Sequence, residues 1–151
     1  MQKIDIQKLL QDPSLFKEAA YIDGQWIKEP TGKTFIVTNP ATDELIAEVA
    51  NLGTQEAEVA ISAAEKALPE WRAKTGKERA QILSKWFDLI LANKQDLAVL
   101  MTLEQGKPLA ESTGEVVYGA SFIEWFAEEA KRVSGAILTT TLPDKRLMVL
   151  K

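Results

Sequence analysis

Glu124, Glu128 and Glu129 gather three carboxylates in one short stretch, with Glu124 and Glu128 one helical turn apart and so on one helix face. Two carboxylates held in different environments on either side of a substrate are the equipment of general acid–base catalysis. The surrounding sequence supplies no cleft, and Glu128 has Arg132 one turn on as a partner. The group therefore reads first as a solvated helix face. Tyr118, Phe122 and Trp125 follow the spacing i, i+4, i+7, with Phe126 beside them. Core packing is the ordinary use of such an aromatic face; the functional use is the wall of an apolar substrate tunnel. Glu104 falls near the C-terminal end of a predicted helix, where the dipole disfavours an anion. It is either an exposed acid tolerated at a few tenths of a kcal/mol or a ligand of a structural cation shared with backbone carbonyls. Lys107 and Lys131 read as surface lysines, because a catalytic lysine needs burial or a cationic neighbour.

Composition removes several chemistries. The 151 residues are 46% hydrophobic and 26% charged, with a formal net charge of −4 and both signs interspersed. There is no basic footprint for nucleic acid and no polybasic membrane patch. No apolar run approaches the roughly 18 residues of a membrane span, and the first ten residues lack the pattern of a signal peptide. A cytoplasmic location is the default expectation. The sequence contains no cysteine and no histidine. Disulfides, thiolate metal sites, cysteine nucleophiles and the commonest general base are thereby excluded from it. Its glycines form neither G-x-G-x-x-G nor G-x-x-x-x-G-K-[ST], so neither phosphate-binding fingerprint is present.

The elements that must position these residues follow from periodicity. Residues 1–18 read as a short amphipathic helical arm built on Ile4, Ile6, Leu9 and Leu10, interrupted at Asp12-Pro13. A small antiparallel meander follows over residues 20–50. Its turns are predicted at Asp23-Gly24, Pro30-Thr31-Gly32-Lys33 and Asn39 to Asp43. The period then becomes helical. Helices are predicted over 54–68, ended by Pro69, and over 76–92 behind a Thr75/Glu78 capping box. Two more are predicted over 94–105, capped by Asn93 and stopped by Gly106, and over 108–133, stopped by Gly135. Gly114 and Gly119 inside the last helix lower its stability by about 1 kcal/mol each relative to alanine, and read as marks of close backbone approach. A strand pair over 137–150 ends in the apolar run Leu147 to Leu150, which looks like an interrupted fold.

Ile22-Asp23-Gly24-Gln25-Trp26, Thr38-Asn39-Pro40-Ala41-Thr42, Ala67-Leu68-Pro69-Glu70-Trp71-Arg72, Lys77-Glu78-Arg79-Ala80, Leu103 to Pro108 and the aromatic helix stand in the order and spacing of one enzyme family. Together they resemble the NAD(P)-dependent aldehyde dehydrogenases, with the aromatic helix most similar to the bacterial succinate-semialdehyde branch. One departure is Asp43, where the family has glycine; aspartate tolerates turn geometry.

The resemblance implies the N-terminal portion of that α/β fold. Residues 1–18 would be a helical arm, 19–135 the first part of the cofactor-binding domain, and 136–151 the start of the strand arm that joins subunits into a homo-oligomer. It implies oxidation of a small-molecule aldehyde, succinate semialdehyde to succinate, with NAD or NADP in the intact enzyme. The family's cysteine nucleophile, base and cofactor motifs would lie beyond Lys151, so no catalytic or cofactor-binding residue is carried over and the chain alone is expected to be inactive. Two other roles are implied: Tyr118 and Phe122 in the aldehyde entry tunnel, and Glu104 with the main-chain oxygens of Val37 and Thr38 at a structural cation site. Two alternatives remain open: a self-standing helical interaction module, and a branch of the family acting on another aldehyde.

Overall fold

The structure, a computed structural model, describes residues 2–28 and 32–151. Strands β1 (Ala20–Ile22) and β2 (Gln25–Ile27) form a tight antiparallel hairpin. Its turn residues Asp23 and Gly24 have φ of 49° and 79°, the positive values that a two-residue turn demands. Strands β3 (Thr34–Thr38) and β4 (Leu45–Ala50) form a second hairpin. Among the described residues the two hairpins are separate two-stranded sheets, rather than the single expected meander. Of the turn expected at Pro30-Thr31-Gly32-Lys33, Pro30 and Thr31 lie outside the described residues, and Gly32 has a φ of 76°.

A bulge organises the first core. Val37 pairs with Ala47 but Thr38 pairs with Leu45, so Ile46 has no partner across the ladder. In a regular strand neighbouring side chains point to opposite faces. The extra residue breaks that alternation, and Ile46 and Ala47 are both buried, at 1% and 2% exposure. They cluster with Ile6 and Leu10, and Phe16, Leu100 and Leu103 pack around them. Burying an isoleucine contributes roughly 1.5–3 kcal/mol.

That cluster explains a correction at the N-terminus. Within the expected 1–18 arm, the described residues 2–18 form no α-helix but two 3-10 turns, Ile6–Lys8 and Pro13–Leu15. Their backbone is committed elsewhere: Ile4 N–H donates to the Leu45 carbonyl and Leu45 N–H to that of Gln2. Those bonds extend the chain along β4 and deliver Ile6 and Leu10 to the core. A stretch this short is also marginal as a helix on its own.

Four helices follow: α1 (Thr54–Ala73), α2 (Gly76–Ala92), α3 (Lys94–Gln105) and α4 (Leu109–Glu129), the last continued by a 3-10 turn at Ala130–Arg132. No strand interrupts the region between Glu78 and Arg132, as expected. Helix α1 runs through Pro69 instead of ending there. Pro69 and Glu65, whose carbonyl loses its donor, are both exposed, so water can replace the missing bond. The last turn is held by the Lys74–Glu70 ion pair at 3.0 Å. The capping box of α2 forms as read: Thr75 N–H donates to Glu78 Oε2 at 2.7 Å, and Glu78 N–H donates to Thr75 Oγ1 at 3.3 Å. Asn93 behaves differently from its reading. Its side chain does not cap α3; Nδ2 donates to the Leu89 carbonyl at 2.8 Å and closes α2.

Helix α4 packs on α2 and α3 through a buried stripe of Ser112, Val116, Ala120 and Ala127. Small side chains on that stripe let the helices approach. Thr102 and Ser112 share a hydroxyl–hydroxyl hydrogen bond of 2.8 Å at the α3–α4 contact. The close backbone approach falls at Gly76, where a Cβ would run into the carbonyl of Ala130. Gly114 and Gly119, expected to mark it, have open space around them. Gly135 does not stop α4 either; the helix has already ended, and Gly135 lies against the Val149 carbonyl at the foot of a third hairpin. That hairpin, β5 (Ala136–Thr139) with β6 (Arg146–Val149), is exposed at every residue.

Candidate functional site

The aromatic face of α4 is on the surface. Tyr118, Phe122, Trp125 and Phe126 are all exposed, so in this chain they are not the packed core that their spacing most simply indicated. The reason is geometric. The buried stripe of α4 uses its small residues, which turns the aromatics to the opposite side. Tyr118 and Phe122 meet edge to face, with ring centroids 4.8 Å apart and planes at 78°, a favoured quadrupolar arrangement. With Ser121, Trp125 and Phe126 they line an open groove of about 760 Å³.

Glu124 and Glu128 edge the same groove. Glu128 pairs with Lys131 at 3.2 Å, and Glu129 with Arg132 at 3.1 Å. The Glu128–Arg132 pair read from the sequence is thus replaced by two i,i+3 pairs, because the chain tightens into a 3-10 turn over Ala130–Arg132. These carboxylates make solvent-exposed ion pairs, and nothing in their surroundings separates them into an acid and a base.

Glu104 is exposed in the last turn of α3, and no described residue donates a hydrogen bond to it. Val37 and Thr38 are half-buried opposite the β4 bulge, and α3 packs on β3. The structure brings these elements together. Among the described residues no cluster of three or more acidic side chains could hold a metal, so any cation here would depend mainly on carbonyl oxygens. Just beyond, Gly106 takes a left-handed φ of 71°, and a Cβ there would crowd Pro40 and Ala41 at 3.0–3.3 Å. That close approach fixes the end of α3 against the Asn39 turn. Within the turn, Asn39 Oδ1 accepts the Ala41 N–H at 2.9 Å, and Asp43 adopts φ of 59°.

Lys107 departs from its reading as a surface lysine. Its side chain is 14% exposed, and its buried ammonium is ion-paired with Glu115 on the second turn of α4 without a hydrogen bond of good geometry. Lys131 is half-exposed, as expected. The sequence also hid Asp96. It is buried at 4% exposure, and its two carboxylate oxygens accept the N–H groups of Gln11 and Asp12 at 3.0 and 2.8 Å. Its only signal was an acidic residue in the first turn of a helix, which says nothing of a partner so far along the chain.

The glycines at left-handed φ, Gly24, Gly32 and Gly106, sit in a hairpin turn, ahead of β3 and after α3. None lies between a strand and the helix it feeds, the geometry that receives a dinucleotide pyrophosphate. Gly53 does stand between β4 and α1, but its N–H is taken by the Glu56 carboxylate at 2.9 Å, so no phosphate-binding turn is open there.

The match to known proteins covers the frame that holds this site. Residues 26–151 match the aldehyde dehydrogenase family. The chain belongs to that family. It is 57% identical over 142 residues to a glutarate-semialdehyde dehydrogenase of Pseudomonas putida, covering 94% of this chain and 30% of the relative. It is 52% identical to the NADP(+) succinate-semialdehyde dehydrogenase of Escherichia coli, again over 94% of this chain and 30% of the relative. A crystal structure of an aldehyde dehydrogenase from Brucella melitensis biovar abortus superposes with a TM-score of 0.88 at 55% identity, covering 93% of this chain and 29% of that one. The chain thus spans about 30% of the length of these relatives, and its helices and antiparallel strand pairs are those of the N-terminal part of the family's α/β fold. No helix among the described residues is long and apolar enough to cross a membrane.

Proposed function

We propose that this chain supplies the N-terminal part of an NAD(P)-dependent semialdehyde dehydrogenase that oxidises a short aldehyde carrying a distal carboxylate, with succinate semialdehyde as the substrate first expected and glutarate semialdehyde beside it. The observation that carries the reading is identity above one half, over nearly the whole chain, to relatives named for those two substrates. In this proposal residues 19–135 begin the cofactor-binding domain, and residues 136–151 begin an arm that pairs subunits. In the same proposal the cofactor is NAD or NADP, the groups that bind it and carry the chemistry lie outside this chain, and the setting is cytoplasmic. Tyr118 and Phe122 form one wall of the aldehyde's entry path. Both rings are exposed in this chain, turned away from the face that α4 buries on α2 and α3. Glu104, with the carbonyls of Val37 and Thr38, would hold a structural cation where α3 meets β3. The alternative of a self-standing helical module is disfavoured by the exposed apolar faces of α1, α4 and β5–β6, which a free domain would keep small.

The test is a chimera. The matching segment of the Escherichia coli enzyme is replaced by this chain, and kcat/KM is measured for succinate and glutarate semialdehydes with each nicotinamide cofactor. The reading expects a folded, active hybrid whose KM rises when Tyr118 and Phe122 are changed to alanine. A hybrid that folds yet oxidises neither aldehyde would overturn it.

A further inference from the structure

A second cleft lies on the far side of the chain's first core, between the N-terminal segment and the β1–β2 hairpin, and no step above uses it. It encloses about 620 Å³, within the roughly 300–1,000 Å³ of small-molecule sites. Its apolar walls include Ile4, Ile6, Phe16 and Trp26. Three lysines, Lys3, Lys17 and Lys28, line it together with two acids, Asp5 and Glu18. The Asp5 carboxylate is already taken by Lys8 at 2.8 Å. The Lys17 ammonium stands 5.5 Å from the centroid of the Trp26 ring, a cation–π distance. Among the described residues neither Lys3 nor Lys28 has a carboxylate partner. In a chain of net charge −4, this cleft therefore carries local positive charge beside two aromatic rings.

We propose that this cleft binds a small aromatic carboxylate. The ring would pack against Phe16 and Trp26, and the carboxylate would be met by the ammonium groups of Lys3 and Lys28. An apolar body with few placed polar contacts is the usual composition of such a site. The charge selects an anion over its neutral analogue, and the rings select a planar body over an aliphatic one.

The experiment titrates 2-naphthoate into the full chain and follows the Trp26 indole N–H by NMR, with the Trp125 indole as an internal reference for the α4 groove. Saturable shifts at Trp26 are expected. The Lys3→Gln/Lys28→Gln double variant should weaken them by about five-fold, the scale of exposed charge pairs, and Trp125→Ala should leave them unchanged. Circular dichroism confirms that each variant keeps its helices. Absence of saturation at Trp26, equal binding of the neutral 2-naphthalenemethanol, or unaltered affinity in the double lysine variant would each overturn the proposal.

Discussion

The carboxylate of Asp96 accepts the backbone N–H of Gln11 at 3.0 Å across a separation of 85 residues. Its other oxygen takes the N–H of Asp12, so one side chain at the start of α3 closes the turn that carries Leu10 into the core. Replacing Asp96 by alanine leaves two backbone donors without their acceptor, at a cost of roughly 1–3 kcal/mol. Asp96→Asn keeps one acceptor oxygen and should lose less. Hydrogen exchange should show Gln11 and Asp12 amides losing protection in Asp96→Ala while those of α4 keep theirs. Unchanged exchange at both amides would contradict the assignment.

Three glycines separate backbone packing from helix propensity. At Gly76 an added methyl meets the Ala130 carbonyl, so Gly76→Ala should destabilise the contact of α2 with the 3-10 turn that continues α4, despite alanine's better propensity. Gly114 and Gly119 have nothing near them. In this chain Gly114→Ala and Gly119→Ala should each stabilise by about 0.5–1 kcal/mol. Denaturant midpoints of the three variants check the opposite signs.

The capping box gives a pH dependence of known sign. The Thr75 N–H, and then its hydroxyl, hold the Glu78 carboxyl below its ordinary value of 4.5. A carboxylate whose folded value is lowered stabilises fully above the unfolded value, and loses that stabilisation as pH falls through the folded one. The start of α2 should therefore fray only below about pH 4.5. Glu78→Gln should remove the acid-dependent part of that fraying, and Thr75→Ala should cost about 1 kcal/mol at neutral pH. Helical signal followed against pH for both variants makes the comparison.

Much of this was legible from local chemistry. Asp23-Gly24, Thr75 with Glu78, and Gly106 each meet a backbone requirement within a few residues, and the structure honours all three. What was hidden depends on distant partners. The N-terminal segment resembles a helix until β4 claims its hydrogen bonds. Asp96 resembles an ordinary first-turn acid until Gln11 and Asp12 arrive, and Lys107 resembles a surface lysine until α4 folds Glu115 over it. The aromatic face was legible as a face, but not its direction, because periodicity does not say whether Ser112 and Ala120 or Phe122 and Trp125 turn inward.

The exposed apolar surface predicts behaviour in solution. Met148 and Leu150 are 71% and 82% exposed at the end of an uncovered two-stranded hairpin, and such edges recruit further strands. The chain should give a scattering mass above that of one copy. Met148→Lys with Leu150→Lys should lower it and raise solubility. A compact monomer from the unmodified chain, unfolding cooperatively, would instead favour the self-standing module.

The most direct measurement is NAD(P)H formation from succinate and glutarate semialdehydes by the purified 151-residue chain. With no cysteine to attack the aldehyde and no histidine to serve as base, the predicted rate is that of buffer alone. Turnover that persists in a preparation free of any full-length dehydrogenase would contradict the account, because catalysis would then reside in residues assigned here to scaffold and entry path.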